Sequence, residues 1–216
     1  MMQPLPFDVR LELEGWKLFW ALLELQPCDA DAFAAAGRSV AERIRGTLQL
    51  ESLSTHETVI GLRRLFRAAG CDPTRYRPSS EALIRRLLKG EEMPAIHPLV
   101  DLNNCLSASL AVPCCVMAEE RLSPPFVFRS GRPGESYESL RGPFNLEGKP
   151  LLVDELGPCD APITGGVRVK VAAGTTRVWL VAYLPGAVIQ PELAEKCLLD
   201  LVATVPVVRV HLTAGV

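Results

Sequence analysis

Arg177-Val-Trp-Leu-Val-Ala-Tyr183 contains five consecutive apolar residues, Val178 to Ala182. An unbroken apolar run of this length predicts a strand buried on both faces rather than one with a solvent side. Working outward, Pro191 to Ala203 reads as a helix with proline near its first position, where a missing N–H costs nothing. Val207 to Leu212 reads as a closing strand. Towards the N-terminus, Phe126 to Arg129, Leu151 to Asp154 and Val167 to Val171 also read as strands. Glycine- and proline-rich turns such as Arg132-Pro-Gly134 and Gly157-Pro158 separate them.

The first half has a different texture. Val9 to Leu13 alternates apolar and charged residues, Gly15 permits a turn, and Lys17 to Leu25 suits a buried partner strand. Asp29 to Arg45 is alanine-rich and predicts a helix closed by Gly46. Ser54-Thr-His-Glu57 has the spacing of a capping box, with Leu62, Leu65, Phe66 and Ala69 on one face behind it and Gly70 as a left-handed cap. Ser79 or Ser80 is expected to cap the next helix, with Glu81 at its positive end and Gly90 at its close. Its buried side would be Leu83, Ile84, Leu87 and Leu88. A third helix from Leu99 to Leu110 has Leu99, Leu102, Leu106 and Leu110 as its stripe, Asn103 and Ser107 flanking it, and Asp101 turned away. Helices first and strands later define an α+β chain with a mixed or antiparallel sheet, read as a single compact domain over 1–216.

The chain has 216 residues and a formal net charge of −2, so no overall field draws polyanions. Nucleic acid would need a local patch. The run Arg63, Arg64, Arg67, Arg75, Arg77, Arg85, Arg86 and Lys89 supplies one, although a solvated helix face has the same composition. Seven cysteines without Cys-x-x-Cys spacing and only three histidines argue against a zinc site and favour reduced thiols in a cytoplasmic protein. Trp16 to Leu25 is too short to span a bilayer, and no signal-peptide pattern precedes it.

There is no phosphate-binding loop, no dinucleotide fingerprint and no Gly-x-Ser-x-Gly. His56, His97 and His211 are scattered, leaving a cysteine nucleophile at Cys114 or Cys115 as a formal option. The remaining candidates are the polar residues around Asn103 and the turn at Gly165-Gly166. Amides and backbone donors there would suit a small polar ligand or an aminoacyl group. The same amides could equally tie neighbouring loops to each other.

Several segments resemble a known family. Tyr76-Arg-Pro-Ser-Ser-Glu-Ala-Leu-Ile-Arg-Arg-Leu-Leu-Lys-Gly90, Val100-Asp-Leu-Asn-Asn104, Gly134-Glu-Ser-Tyr137, Asn145-Leu-Glu-Gly148 and Leu152-Val-Asp-Glu-Leu-Gly-Pro158 look like the free-standing B3/B4 domain proteins. Those are similar to the B3/B4 domain of the phenylalanyl-tRNA synthetase beta subunit, and the resemblance runs from about residue 62 to 183. It leaves 1–53 as N-terminal strands and a helix of unassigned role.

The resemblance implies a polar pocket between helix and sheet, used in the bacterial synthetase to hydrolyse mischarged tyrosine, with no amino-acid activation, ATP, cofactor or metal. The pocket residues implied are Asn103, Asn104, Ser107, Cys115, Thr164, Gly165, Gly166 and Thr175. Asn104 matches the family's pocket asparagine, and Thr175-Thr176 its paired threonines. Cys115 stands where the family has histidine, and Val167 where it has an acid. The catalytic residues therefore stay unassigned. Arg75, Arg77, Arg85, Arg86 and Lys89 are the expected phosphate contacts. The partners implied are tRNA or an aminoacyl-type ligand, without DNA or membrane. A trans-editing hydrolase of mischarged aminoacyl-tRNA and a metabolite-binding protein are the alternatives.

Overall fold

The double-sided burial of the Val178 strand organises the whole molecule. A computed structural model describes residues 2–216. Its strands are β1 (Val9–Leu11), β2 (Trp16–Leu25), β3 (Cys114–Ala118), β4 (Phe126–Ser130), β5 (Ser136–Ser139), β6 (Gly142–Asn145), β7 (Pro150–Asp154), β8 (Gly157–Ala161), β9 (Thr164–Gly165), β10 (Arg177–Pro185) and β11 (Val208–Gly215). Its helices are α1 (Ala34–Thr47), α2 (Glu57–Ala68), α3 (Ser79–Leu88), α4 (Pro98–Leu110) and α5 (Pro191–Thr204).

One antiparallel sheet runs β11-β2-β10-β3, and a second runs β1-β4-β7-β8-β9, with β1 parallel to β4 and the rest antiparallel. Alternation along a strand sends neighbouring side chains to opposite faces. Thus Val178, Leu180, Ala182 and Leu184 of β10 pack with Leu99, Leu102 and Leu106 of α4 and Ala194 and Leu198 of α5. Trp179, Val181 and Tyr183 turn the other way, onto Phe126, Phe128, Leu152 and Cys159 of the second sheet and Leu62 and Phe66 of α2. The four-stranded sheet is the middle of three layers, which makes the fold α+β as expected.

β2 lies at the centre, paired with β10 on one side and β11 on the other. The N-terminal segment is therefore built into the core rather than laid over it.

Several local expectations need correction. Ser54 falls in the short 3-10 turn Leu53–Thr55, and His56 precedes α2 without a side-chain cap. Pro78, not a serine, stands at the start of α3, and the Ser80 hydroxyl is spent on Ala111 O at 3.0 Å. Val167–Val169 is a 3-10 turn instead of a strand. Gly157-Pro158 opens β8, with the hairpin turn just before it. Asp101 is buried and accepts from Ile96 N at 2.9 Å, closing the loop ahead of α4. Five strands, β3, β5, β6, β8 and β9, fall where no strand was expected, because short segments rich in glycine, proline and cysteine carry little period-two signal.

Candidate functional site

The site assembles around the free edge of β3. Pro113 O accepts from Tyr183 N, so Cys114, one residue on, points its carbonyl away from β10 and out of the sheet. Asn103 of α4 caps that carbonyl, its Nδ2 donating to Cys114 O at 3.3 Å. The amide oxygen on the same side chain is buried and has no hydrogen-bond partner. Ser107, one turn along, donates to Val112 O at 2.7 Å and fixes the α4–β3 connection. Asn104 is half-buried beside them.

On the other face of β3, the Cys115 side chain enters the space between the two sheets and meets the turn after β8. Residues 159–166 are tied there from several sides. Asp160 pairs in register with Gly165, Leu140 N donates to Gly165 O at 3.2 Å, and Tyr137 Oη donates to Thr164 O at 2.5 Å. Arg168 then forks onto Asp154 at 2.7 and 3.1 Å and anchors the exit. A Cβ on Gly166 would stand 2.4 Å from Cys159 O and 3.0 Å from the Tyr137 ring, so only glycine lets the chain pass there. Gly165 has ordinary clearance, its nearest neighbours being Asp160 Oδ1, Leu140 Cδ1 and Cys115 Sγ.

Asp160 is the residue that sequence reasoning missed. It is 0% exposed. Tyr183 Oη donates to its Oδ2 at 2.5 Å across the gap between sheets, while Oδ1 has no hydrogen-bond partner. Burial pushes its carboxyl up to about 7, against the opposing hydrogen bond from Tyr183 and the weaker pull of the nearby Cys115 thiol and Ala161 backbone. Burial likewise raises Cys115, Tyr137, Cys159 and Tyr183, with the Asp160 charge adding to each. Cys115 is thus held as an inert thiol. No histidine stands by to activate it: His97 caps α4 through Leu99 N, His211 pairs with Glu24, and His56 lies at the start of α2. The clue to Asp160 in the sequence is a lone acid within Cys159-Asp-Ala-Pro-Ile163, obscured once Gly157-Pro158 was taken for a turn.

The other pocket expectations divide by position. Cys115, Thr164, Gly165 and Gly166 come together around Asp160, and Asn103 and Ser107 reach the adjoining β3 and the turn before it, with half-buried Asn104 next to Asn103 on α4. Thr175 is apart from both groups. Its hydroxyl accepts from Ala172 N at 3.0 Å, and it precedes the far end of β10, about 20 Å of strand away from Tyr183 at ~3.3 Å per residue.

The basic residues are also differentiated. Glu81, buried in α3, accepts from Arg63 at 2.6 and 2.9 Å and from Arg85 at 2.9 Å, while Arg77 Nε stands at ion-pair distance, 3.3 Å, without a hydrogen bond. Burial works to raise its carboxyl, but the bonds from Arg63 and Arg85 prevail and hold it below its ordinary value. Arg86 pairs with Glu91 at 2.7 Å. Arg75 is exposed over the Tyr76 ring at 5.2 Å, and Lys89 is exposed. Lys149 places its ammonium 4.1 Å from the same tyrosine ring, on the side where Phe144 of β6 meets it edge-on.

Among the described residues, no group of three or more His, Cys, Asp or Glu is placed to hold a metal, and no helix is long and apolar enough to cross a membrane. None of the seven cysteines is paired.

The fold and the site together define an α+β domain that holds two buried acceptors without hydrogen-bond partners, Asn103 Oδ1 and Asp160 Oδ1. The B3/4 domain model matches residues 61–194, more than half of the chain, and the chain belongs to that family. No curated protein matches it. Among solved structures, it is similar to an N-terminal fragment of the phenylalanyl-tRNA synthetase beta-subunit from Pyrococcus horikoshii, with a TM-score of 0.50 and 13% identity. That alignment covers 100% of this chain and 52% of the fragment, so the chain spans about half the length of its structural relative.

Proposed function

We propose that this B3/4 domain holds an aminoacyl-type ligand, such as the charged end of a tRNA, in the space bounded by Asn103, Asn104, Cys115, Asp160 and Gly165-Gly166. The observation that carries the reading is the pair of buried acceptors without partners, Asn103 Oδ1 and Asp160 Oδ1, on either side of the Cys114–Cys115 edge. A buried polar atom left unpaired costs about 1–3 kcal/mol, a cost that a ligand's donors would offset. The reading is in keeping with the B3/4 family and with a structural relative that is a fragment of a phenylalanyl-tRNA synthetase beta-subunit.

A second reading, hydrolysis of a mischarged aminoacyl ester, draws on Asp160. A carboxyl whose proton affinity lies near neutrality suits a general base acting on water.

The test is incubation with a pool of correctly charged and mischarged tRNAs, with Asn104→Ala as the control. Selective loss of one mischarged species, abolished by the substitution, would establish the hydrolase. Binding without turnover, weakened by the substitution, would establish the holding module. Neither binding nor turnover, together with a thermal shift caused by a free metabolite, would refute both.

A further inference from the structure

Helices α1 and α5 both pack against α4, and a cavity of about 430 Å³ lies between them, with Ser109 of α4 in its wall. That volume falls within the range of small-molecule sites, about 300–1,000 Å³. Each flanking helix presents one stripe to it. Ala36, Val40 and Arg43 follow the i, i+4, i+7 spacing along α1, and Cys197, Leu201 and Thr204 follow it along α5, so each set shares a face. Val40 is buried, and Ala36 and Leu201 are half-buried, which gives the cavity apolar walls. It opens to solvent at Arg43 and Asp200, both exposed. It shares no residue with the site around Asn103 and Asp160.

Two opposite charges line this opening without a charged partner. Arg43 Nη2 donates to Ser109 Oγ at 2.7 Å, and the guanidinium forms no ion pair among the described residues. The Asp200 carboxylate likewise forms no ion pair and accepts no hydrogen bond among the described residues. The two charges are nevertheless near one another. Both act on the half-buried Cys197 thiol, which burial raises, with Arg43 opposing and Asp200 adding to the rise. A guanidinium with free donors and a free carboxylate thus stand within reach of one thiol, beside an apolar cavity.

We propose that this cavity is a second ligand site, which takes a free α-amino acid with an apolar side chain. The ligand's carboxylate pairs with Arg43, whose planar fork of donors matches its two oxygens, and its ammonium pairs with Asp200. Its side chain lies on Ala36, Val40 and Leu201. A simple anion of the same size would be repelled by Asp200 and a simple cation by Arg43, while a neutral apolar molecule would leave both charges unpaired. Because both charges reach one thiol, those of the ligand must lie close together. They do so on a single α-carbon and not at the two ends of a peptide. The inference goes beyond the aminoacyl reading above and does not depend on it.

The test is calorimetric titration near neutral pH with alanine, valine, leucine, methionine and phenylalanine, each compared with its amide and its N-acetyl form. At least one free amino acid is expected to bind, with its amide and its N-acetyl form each roughly tenfold weaker or more, since each has lost one charge-assisted contact. Arg43→Gln should bind the amino acid and its amide equally, and Asp200→Asn should bind the amino acid and its N-acetyl form equally. A general loosening of the helices would not produce this selective loss of discrimination. Both side chains are exposed, and the comparison of ligands on the parent protein decides the matter even if a variant is damaged. Ala36→Leu, which fills the cavity, should abolish binding, whereas Asn104→Ala should not alter it. No binding by any of the five, equal binding of the amide and N-acetyl forms, or discrimination unchanged in Arg43→Gln and Asp200→Asn would overturn the inference. Binding lost in Asn104→Ala but kept in Ala36→Leu would overturn it too, by placing the amino acid in the other site and leaving the aminoacyl reading in force.

Discussion

Asp160 keeps its carboxyl buried between two sheets, with Oδ2 bonded to Tyr183 and Oδ1 without a hydrogen-bond partner. This makes its ionisation a stability term with a definite sign. The group is raised from 3.8 to about 7 by burial, so the folded state binds more protons than the unfolded chain between those limits. Stability is therefore undiminished below the lower value, falls as pH rises, and levels off above the upper one; the full span is worth about 4 kcal/mol. Removing the charge should remove the slope. Urea unfolding of the parent and Asp160→Asn should show the parent losing roughly 3 kcal/mol relative to the variant between about pH 5 and pH 8. Parallel pH profiles would contradict the placement of Asp160.

At the scale of elements, α2 and α3 are joined by one buried carboxylate and three guanidinium groups. Glu81 is fully buried, while Arg63, Arg77 and Arg85 reach it from the partly exposed side. Breaking a buried ion pair by neutralising one partner leaves the other charges uncompensated, which costs about 3–5 kcal/mol. Glu81→Gln should destabilise the chain by roughly that amount at neutral pH, measured by denaturant midpoint. Because its carboxyl is held below its ordinary value, the stabilisation is present above about 4.5 and fades as the parent itself protonates on acidification. The gap between parent and variant should narrow accordingly. Sequence spacing placed Glu81 and Arg85 on one helix. It could not show that Arg63, eighteen residues earlier, closes the network from another.

At the scale of the whole molecule, that network redirects any test of nucleic-acid binding. Arg77 and Arg85 hold Glu81, and Arg86 is engaged by Glu91, so charge reversal at these positions would disturb packing and binding together. Arg75 and Lys89 form no ion pair among the described residues and are the clean probes. If tRNA phosphates contact this face, binding should weaken steeply with salt, and Arg75→Glu with Lys89→Glu should lower the log–log salt slope by about 1–2 without changing the melting temperature. An unchanged slope in a filter-binding titration would remove this face from the interface.

The sequence by itself determined the class of fold, because that class depends on local signals. The apolar run at Val178–Ala182, the stripes on the helices and the left-handed glycines at 70 and 90 report burial and chain reversal without reference to distant residues. The resemblance located Asn103, Asn104, Cys115 and Gly165-Gly166 as places of interest for the same reason. Tertiary structure alone decided which of them meet. Tyr183 and Asp160 are twenty-three residues apart and belong to different sheets, joined by a hydrogen bond, whereas Thr175, closer to both in sequence, is carried away by the length of β10. Buried oxygens without hydrogen-bond partners, and a carboxyl raised by burial, exist only once the layers have closed.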